Sequence, residues 1–361
     1  MKTGGRVRKR QQRTHKEHDQ RILDDYYGTP AVTLDGKIIE AKKPAWQFLQ
    51  DFYRRFRMGP KLFSKLLFEI QHEETGYPEF RPQPDALGQL GPSALHRLTA
   101  VIRILAYGIP FDAVKEYTRV SENIAIKRTY AFCDWLAAKY LDTHLGVWTP
   151  EAIDKELAIN AERGFPGMLG SIDCTHWVWK NCPYPWQGQY QDRDGNRSVI
   201  AEAIVGSDIY FWHVFLGVPV SQNDLHVLGV SSLFFKYLQS GAATRKFKIG
   251  DQEYTGLHFL ADGIYPDYAV FMKTYGYPCC HKERLFAKMQ EGARKDVERA
   301  FGRLMIKWVI TGVPCRSWFR ENLAKVWLAC FILHNMTIRD NEDKGYNEEM
   351  GTMRDDQLKK E

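Results

Sequence analysis

The chain has 361 residues, 44% of them hydrophobic and 26% charged, which suits a globular protein of two or three domains. Collagen, a long coiled coil and wholesale disorder are excluded. The best apolar run, Phe211 to Val220, is too short to cross a bilayer and carries His213, so no membrane span is expected.

The formal net charge of +6 is local. Residues 1–21 hold eight Lys/Arg, among them Arg8, Lys9 and Arg10, against Glu17 and Asp19, and the rest of the chain balances to zero. Such a basic arm suits nuclear import or phosphate binding. The start lacks an apolar core of the secretory kind, so no secretory signal is expected. Seven cysteines without a C-x-x-C pair predict reduced thiols and no zinc finger. Cys279-Cys280-His281 could offer three ligands, but adjacent cysteines seldom converge on one ion.

Residues 1–43 are polar and basic and are expected to be a disordered arm. Trp46, Leu49, Phe52, Tyr53 and Phe56 then recur at helical spacing. Met58-Gly59-Pro60 ends that helix, and Pro60 opens another through Ile70. Ser93 caps a third, which stops at Gly108-Ile109-Pro110. A short helix over Phe111–Tyr117, a turn, and a helix from Ser121 to about Leu141 give the outline of a helix-turn-helix, with Lys127 and Arg128 available to phosphates. Residues 44–166 are therefore expected to be a helical domain, either DNA-binding or an ordinary helical domain with such a turn.

After Pro166-Gly167 the period shortens. Met168–Trp179, Ser198–Val205 and Tyr210–Val218 are predicted strands, the last two joined by a turn at Gly206-Ser207-Asp208. Ser221 to Leu238 is predicted as one helix, Gly256–Ala261 as a fourth strand, and Pro266–Tyr275 as a short helix. Two helices follow, Phe286 to about Trp308 and Glu321 to about Ile338, before an acidic tail at 341–361. Three antiparallel strands, then helix and further strand, is the order of an RNase-H-like sheet. The expected fold class is α/β: an RNase-H-like catalytic domain over 167–340, with a mixed sheet and flanking helices, behind an all-α N-terminal domain.

Three acids fall where that sheet would carry chemistry: Asp173 inside the first strand, Asp262 at the end of the fourth, and Glu298 on the long helix. Carboxylates are hard ligands for Mg²⁺ or Mn²⁺, and two such ions about 3.5–4 Å apart can cleave phosphodiesters by in-line displacement. Taken singly, each acid has an ordinary structural role open to it; the three together point to metal-dependent nuclease chemistry. Residues 286–325 carry nine Lys/Arg, including Arg294, Arg299 and Arg303, against four acids, a surface suited to DNA phosphates. The aromatic stretch Trp177–Trp186 could stack on unpaired bases if exposed, although core packing is favoured for most of it.

At these residues the sequence resembles the PIF/Harbinger-type DDE transposases, in particular the plant-type branch. The resemblance is carried by Gly170-Ser171-Ile172-Asp173-Cys174-Thr175-His176-Trp177, Lys180-Asn181-Cys182-Pro183, Trp186-Gln187-Gly188-Gln189-Tyr190, Ser221-Gln222-Asn223-Asp224, Leu260-Ala261-Asp262-Gly263-Ile264-Tyr265-Pro266, Ala293-Arg294-Lys295-Asp296-Val297-Glu298-Arg299-Ala300-Phe301-Gly302 and Leu333-His334-Asn335-Met336. It implies a DDE triad of Asp173, Asp262 and Glu298 holding two Mg²⁺ or Mn²⁺ ions. It further implies cutting of double-stranded DNA at terminal inverted repeats, joining of 3′ ends to a target, and work in the nucleus with a separate Myb/SANT-like DNA-binding protein encoded by the same element. It leaves homo-oligomerisation open. Two alternatives remain at this point: a domesticated Harbinger-derived nuclease with no element to move, and a catalytically silent DNA-binding protein of the same fold.

Overall fold

The computed structural model describes residues 20–22, 24, 31–32, 38–39, 45–72, 77–82, 84, 88, 91–146, 148–192, 195–219 and 224–342. Arg8, Lys9 and Arg10, most of the basic arm and nearly all of the acidic tail lie outside the described residues. The chain divides into two compact units, one of Met1–Leu136 with Lys307–Ile310 and Met336–Glu361, the other of Ala137–Ile306 with Thr311–Asn335.

In the first unit, two-residue strands β1 (Ala31–Val32) and β2 (Ile38–Ile39) pair antiparallel. Helices α1 (Ala45–Phe56) and α2 (Pro60–Gln71) follow the predicted periodicity. Their apolar stripes meet through Phe63, whose ring lies edge-on to Phe52 at 5.7 Å and tilted on Phe56 at 4.6 Å. Helix α3 (Ala94–Tyr107) is buried on nearly every side. Ser93 caps it by accepting from His96 N, and Gly108 ends it in the left-handed region at φ 60°.

The short helix expected over 111–117 is only the turn α4 (Lys115–Thr118), which ends at left-handed Arg119; α5 (Glu122–Leu141) follows. Arg128 of α5 pairs with Glu79, and Lys127 is exposed. Buried Arg97 donates to the carbonyls of Glu79 at 2.7 Å and Arg81 at 2.9 Å. Burial, with Arg128 nearby, lowers its pKa to about 10. Together Arg97 and Arg128 hold the proline-rich segment around Glu79.

The second unit is a mixed α/β layer. Its five-stranded sheet has the order β5-β4-β3-β8-β9, built from β3 (Met168–Val178), β4 (Ser198–Val205), β5 (Phe211–Pro219), β8 (His258–Leu260) and β9 (Phe271–Met272). Strands β3, β4 and β5 are antiparallel, whereas β8 runs parallel to β3 and β9 parallel to β8. Gly170 stands at a register shift between β3 and β8, where a Cβ would lie 2.5 Å from the carbonyl oxygen of Val205. This mixed sheet with flanking helices is compatible with an RNase-H-like domain.

Two expectations need correction and two elements are new. Helix α6 (Pro150–Glu162), capped by Thr149, was not foreseen. Its buried Glu156 accepts from Ser207 N at 2.6 Å and from Asn160 at 2.9 Å, tying the β4–β5 turn to the helix. Burial raises the Glu156 pKa above its ordinary value. The single helix expected over 221–238 is two, α7 (Asp224–Val230) and α8 (Leu233–Gln239). At the break, Ser231 Oγ donates to buried Glu202 of β4 at 2.5 Å and accepts from Leu233 N at 3.2 Å. A hairpin of β6 (Lys246–Ile249) and β7 (Gln252–Thr255) precedes β8. The helix expected over 266–275 is instead a turn leading into β9, because apolar Phe271 completes the sheet beside Phe259.

The long helix α9 (His281–Lys307) starts earlier than expected, and α10 (Arg320–Glu342) closes the described chain. A core of the second unit gathers Leu169, Ile172 and Ile204 of the sheet with Leu228, Leu233 and Tyr237 of α7 and α8. Asp173 follows Ile172 in β3 and so points to the opposite face.

Candidate active site

Asp173 stands opposite Ala203 in the β3–β4 ladder. A carboxylate in the middle of a sheet must keep its hydrogen bonds or its water. Asp173 remains 23% exposed, and its Oδ1 accepts from the amide of Cys174 at 2.9 Å. Asp262 enters through register. Ser171 of β3 pairs with Leu260 of parallel β8, and each acid lies two residues beyond its member of that pair. The two acids therefore leave neighbouring parallel strands at the same level. Asp262 is exposed, and its Oδ1 accepts from Gly263 N at 2.6 Å.

Helix α9 brings the third acid. Gln290 Nε2 donates to the carbonyl of Ala261 at 3.1 Å and to that of Met272 at 3.0 Å, so one carboxamide fastens the ends of β8 and β9. One turn on, Ser171 Oγ donates to the carbonyl of Ala293 at 3.3 Å. Arg294 then faces Asp173, with Nη1 to Oδ2 at 3.7 Å, and Glu298, with Nη2 to Oε1 at 3.0 Å. Residues 290, 294 and 298 recur at four-residue spacing and line one side of the helix. Gln290 and the double role of Arg294 escaped the sequence reading; the four-residue spacing was the available signal.

A second ion pair sets the rotation of the helix. Asp296 is buried and is held by Arg163 at 2.6 Å and by Arg299. Arg299 thus has a partner within its own helix, while Arg303 is exposed. Cys174 Sγ lies 3.6 Å from the hydroxyl of buried Tyr265. Cys279 and Cys280 are exposed, and Cys279 N donates to Glu283 at 2.6 Å.

The acids suit a divalent cation in kind, being oxygen donors only. Asp173 and Glu298 are brought together by a protein cation, the one guanidinium of Arg294, which reaches both. Among the described residues no three His, Cys, Asp or Glu side chains converge closely enough to enclose an ion. A metal joining Asp173 to Glu298 would have to take over the position of the guanidinium.

The plant transposon protein family matches residues 142–345, a span that includes all three acids. The chain is also similar to the protein ALP1-like of Arabidopsis thaliana, with 27% identity over 315 residues, 81% of this chain and 75% of that protein. No solved structure matches. The family match runs over more than half of the chain and over the whole sheet that carries Asp173 and Asp262. The chain accordingly belongs to the plant transposon proteins, the Harbinger-type family of DDE transposase-derived nucleases.

Proposed function

We propose that the chain is a metal-dependent DNA endonuclease and strand transferase. It would cut double-stranded DNA at terminal inverted repeats and join the 3′ ends to a target. The observation that carries this reading is the single guanidinium shared by Asp173 and Glu298, since acids that share one positive charge can share a metal. Asp262, level with Asp173 on the neighbouring strand, would complete the set. Mg²⁺ or Mn²⁺ bound there would supply activation of the attacking oxygen and stabilisation of the leaving oxygen.

The residues of the chain have separate tasks. Asp173 and Asp262 offer oxygen ligands from adjacent strand ends. Glu298 supplies the third from a helix whose rotation is set by Asp296 and Arg163. Arg294 holds the acids together by charge until phosphate and metal arrive, and is then positioned to meet a phosphate oxygen. The exposed basic residues of α9, with Arg303 foremost, would attract the DNA backbone. Lys127 of α5 belongs to the same proposal for the helical region. The basic arm would serve nuclear import, and a Myb/SANT-like protein of the same element would supply sequence recognition.

A domesticated nuclease, with the same chemistry and no element to move, is the second reading; similarity to the ALP1-like protein favours it. Terminal inverted repeats flanking the gene would separate the two. The chemistry itself is tested by nicking of a plasmid bearing a cognate element end, with Mg²⁺ and with chelator. Asp173→Asn, Asp262→Asn and Glu298→Gln should each abolish nicking and leave DNA binding largely intact. Nicking at the wild-type rate by any one of them removes that residue from the triad.

A further inference from the structure

Beyond the end of β3 the chain forms a two-layer aromatic surface that the cleavage chemistry leaves unused. The inner layer is buried. Trp177 donates its indole N–H to the carbonyl of Val313 at 2.7 Å, and Trp179 to that of Ser317 at 2.7 Å. Tyr190 meets Trp179 edge-on at 5.1 Å. The outer layer is exposed: Tyr184 at 87%, Trp318 at 60% and Phe319 at 62%, with Trp186 at 39% leaning on Trp179.

Two segments carry this outer layer, and hydrogen bonds zip them together. Cys315 N donates to Val178 O at 2.8 Å, Lys180 N to Cys315 O at 2.8 Å, and Asn181 Nδ2 to Arg316 O at 2.7 Å. The exposed rings therefore project from an ordered backbone. They are interleaved with exposed Lys180 and Arg316. Aromatic faces beside cations suit a ligand that carries flat rings on an anionic chain.

We infer that this surface, built on residues 179–190 and 314–320, is a stacking platform for unpaired bases of single-stranded DNA. The inference rests on the nuclease reading and deepens it. Alternation along β3 puts Asp173, Thr175 and Trp177 on one face of the sheet, and Trp179 continues that row. Six residues of extended chain separate Asp173 from Trp179, about 20 Å. A strand freed near the acids would reach the platform over the protein's surface, since Trp177 and Trp179 in that row are buried. Duplex DNA hides its base faces within its own stack, so the rings favour unpaired bases, while the cations serve either form.

The test uses the full chain and fluorescence anisotropy with a labelled short oligothymidylate and a duplex of equal length. Asp173→Asn is included so that binding is read without cleavage. Tyr184→Ala with Trp318→Ala should weaken oligothymidylate binding about fivefold or more and leave duplex affinity unchanged. Trp318→Phe, which keeps a ring, should bind nearly as wild type. Thermal melts of the variants should match wild type, because the side chains removed are exposed. Equal losses on single strand and duplex would overturn the inference in favour of a duplex track. Unchanged oligothymidylate binding would overturn it in favour of a protein-docking face, with the nuclease reading intact. No binding of either DNA by wild type would defeat the nuclease reading as well.

Discussion

Arg294 and Glu298 are joined at 3.0 Å across one turn of α9, and the same guanidinium reaches toward Asp173 at 3.7 Å on a strand far away in sequence. The pair is thus more than an intrahelical contact, which alone contributes about 0.2–0.5 kcal/mol. It places a monovalent protein cation where the proposed chemistry needs a divalent one.

Removing that cation should expose the acids to metal. Arg294→Ala is expected to bind Mn²⁺ more tightly than wild type by about fivefold, the equivalent of about 1 kcal/mol for a partly exposed ion pair. Calorimetric titration of the purified chain reads this without any cleavage. Weaker Mn²⁺ binding in Arg294→Ala would mean that the arginine organises the site for metal.

The arginines of α9 should also separate in their salt dependence. Arg303 is exposed and is expected to meet a phosphate, so Arg303→Ala should lower the slope of log K against log salt by about 0.9. In a metal-free titration Arg294, which stays engaged with the two acids, should show little change in slope. A DNA-binding titration over a range of salt checks both. Two unchanged slopes would take the helix off the DNA-binding surface.

The buried anchor of α9 predicts unequal costs. Asp296 is nearly inaccessible and leans on Arg163 and Arg299, of which Arg299 is the more exposed. Arg163→Ala should destabilise by about 1.5–3 kcal/mol, as for a lost hydrogen bond to a buried charge. Arg299→Ala should cost less than about 1 kcal/mol. Urea unfolding of the two variants decides it, and equal costs would show that burial is not what strengthens the Arg163 bond.

A pH window follows from His258 on β8. Burial lowers its pKa from 6.5 to about 4. Between those values the unfolded chain binds the proton and the folded chain does not, so stability falls as pH drops through the window. A shift of that size contributes about 3 kcal/mol at most. His213, also lowered by burial, acts in the same direction, and Glu156, raised by burial, acts in the opposite one. The measurement is therefore the difference in urea midpoint between wild type and His258→Asn, followed from pH about 7 to about 4. A constant difference would mean that His258 is protonated in the fold.

The strands of the sheet were legible because β-rich runs and the Gly206-Ser207-Asp208 turn are local signals. Helix α6 was not, because its fully buried residues are Ile153, Glu156 and Asn160, two of them polar, which leaves only a faint apolar period through Leu157. The break between α7 and α8 was hidden for another reason: the carboxylate that draws Ser231 out of a helix belongs to Glu202 on β4. Strand β9 has only two residues, too few for any periodicity. At the site, residue type and element type pointed to the three acids. The Arg294 contact with Asp173 was out of reach, because it depends on how α9 lies across β3.

Gln290 and Glu298 turn α9 into a gauge. One end is pinned to the ends of β8 and β9, and the other carries the acid eight residues later, about 12 Å along the axis. The connections on either side of the helix can lengthen or shorten without disturbing that interval. A single residue inserted within it would swing Glu298 by about 100° while every strand kept its register. The same turn would carry buried Phe301 and Leu304 off their packed face, so in this chain the spacing of the proposed site and the packing of its helix are a single property.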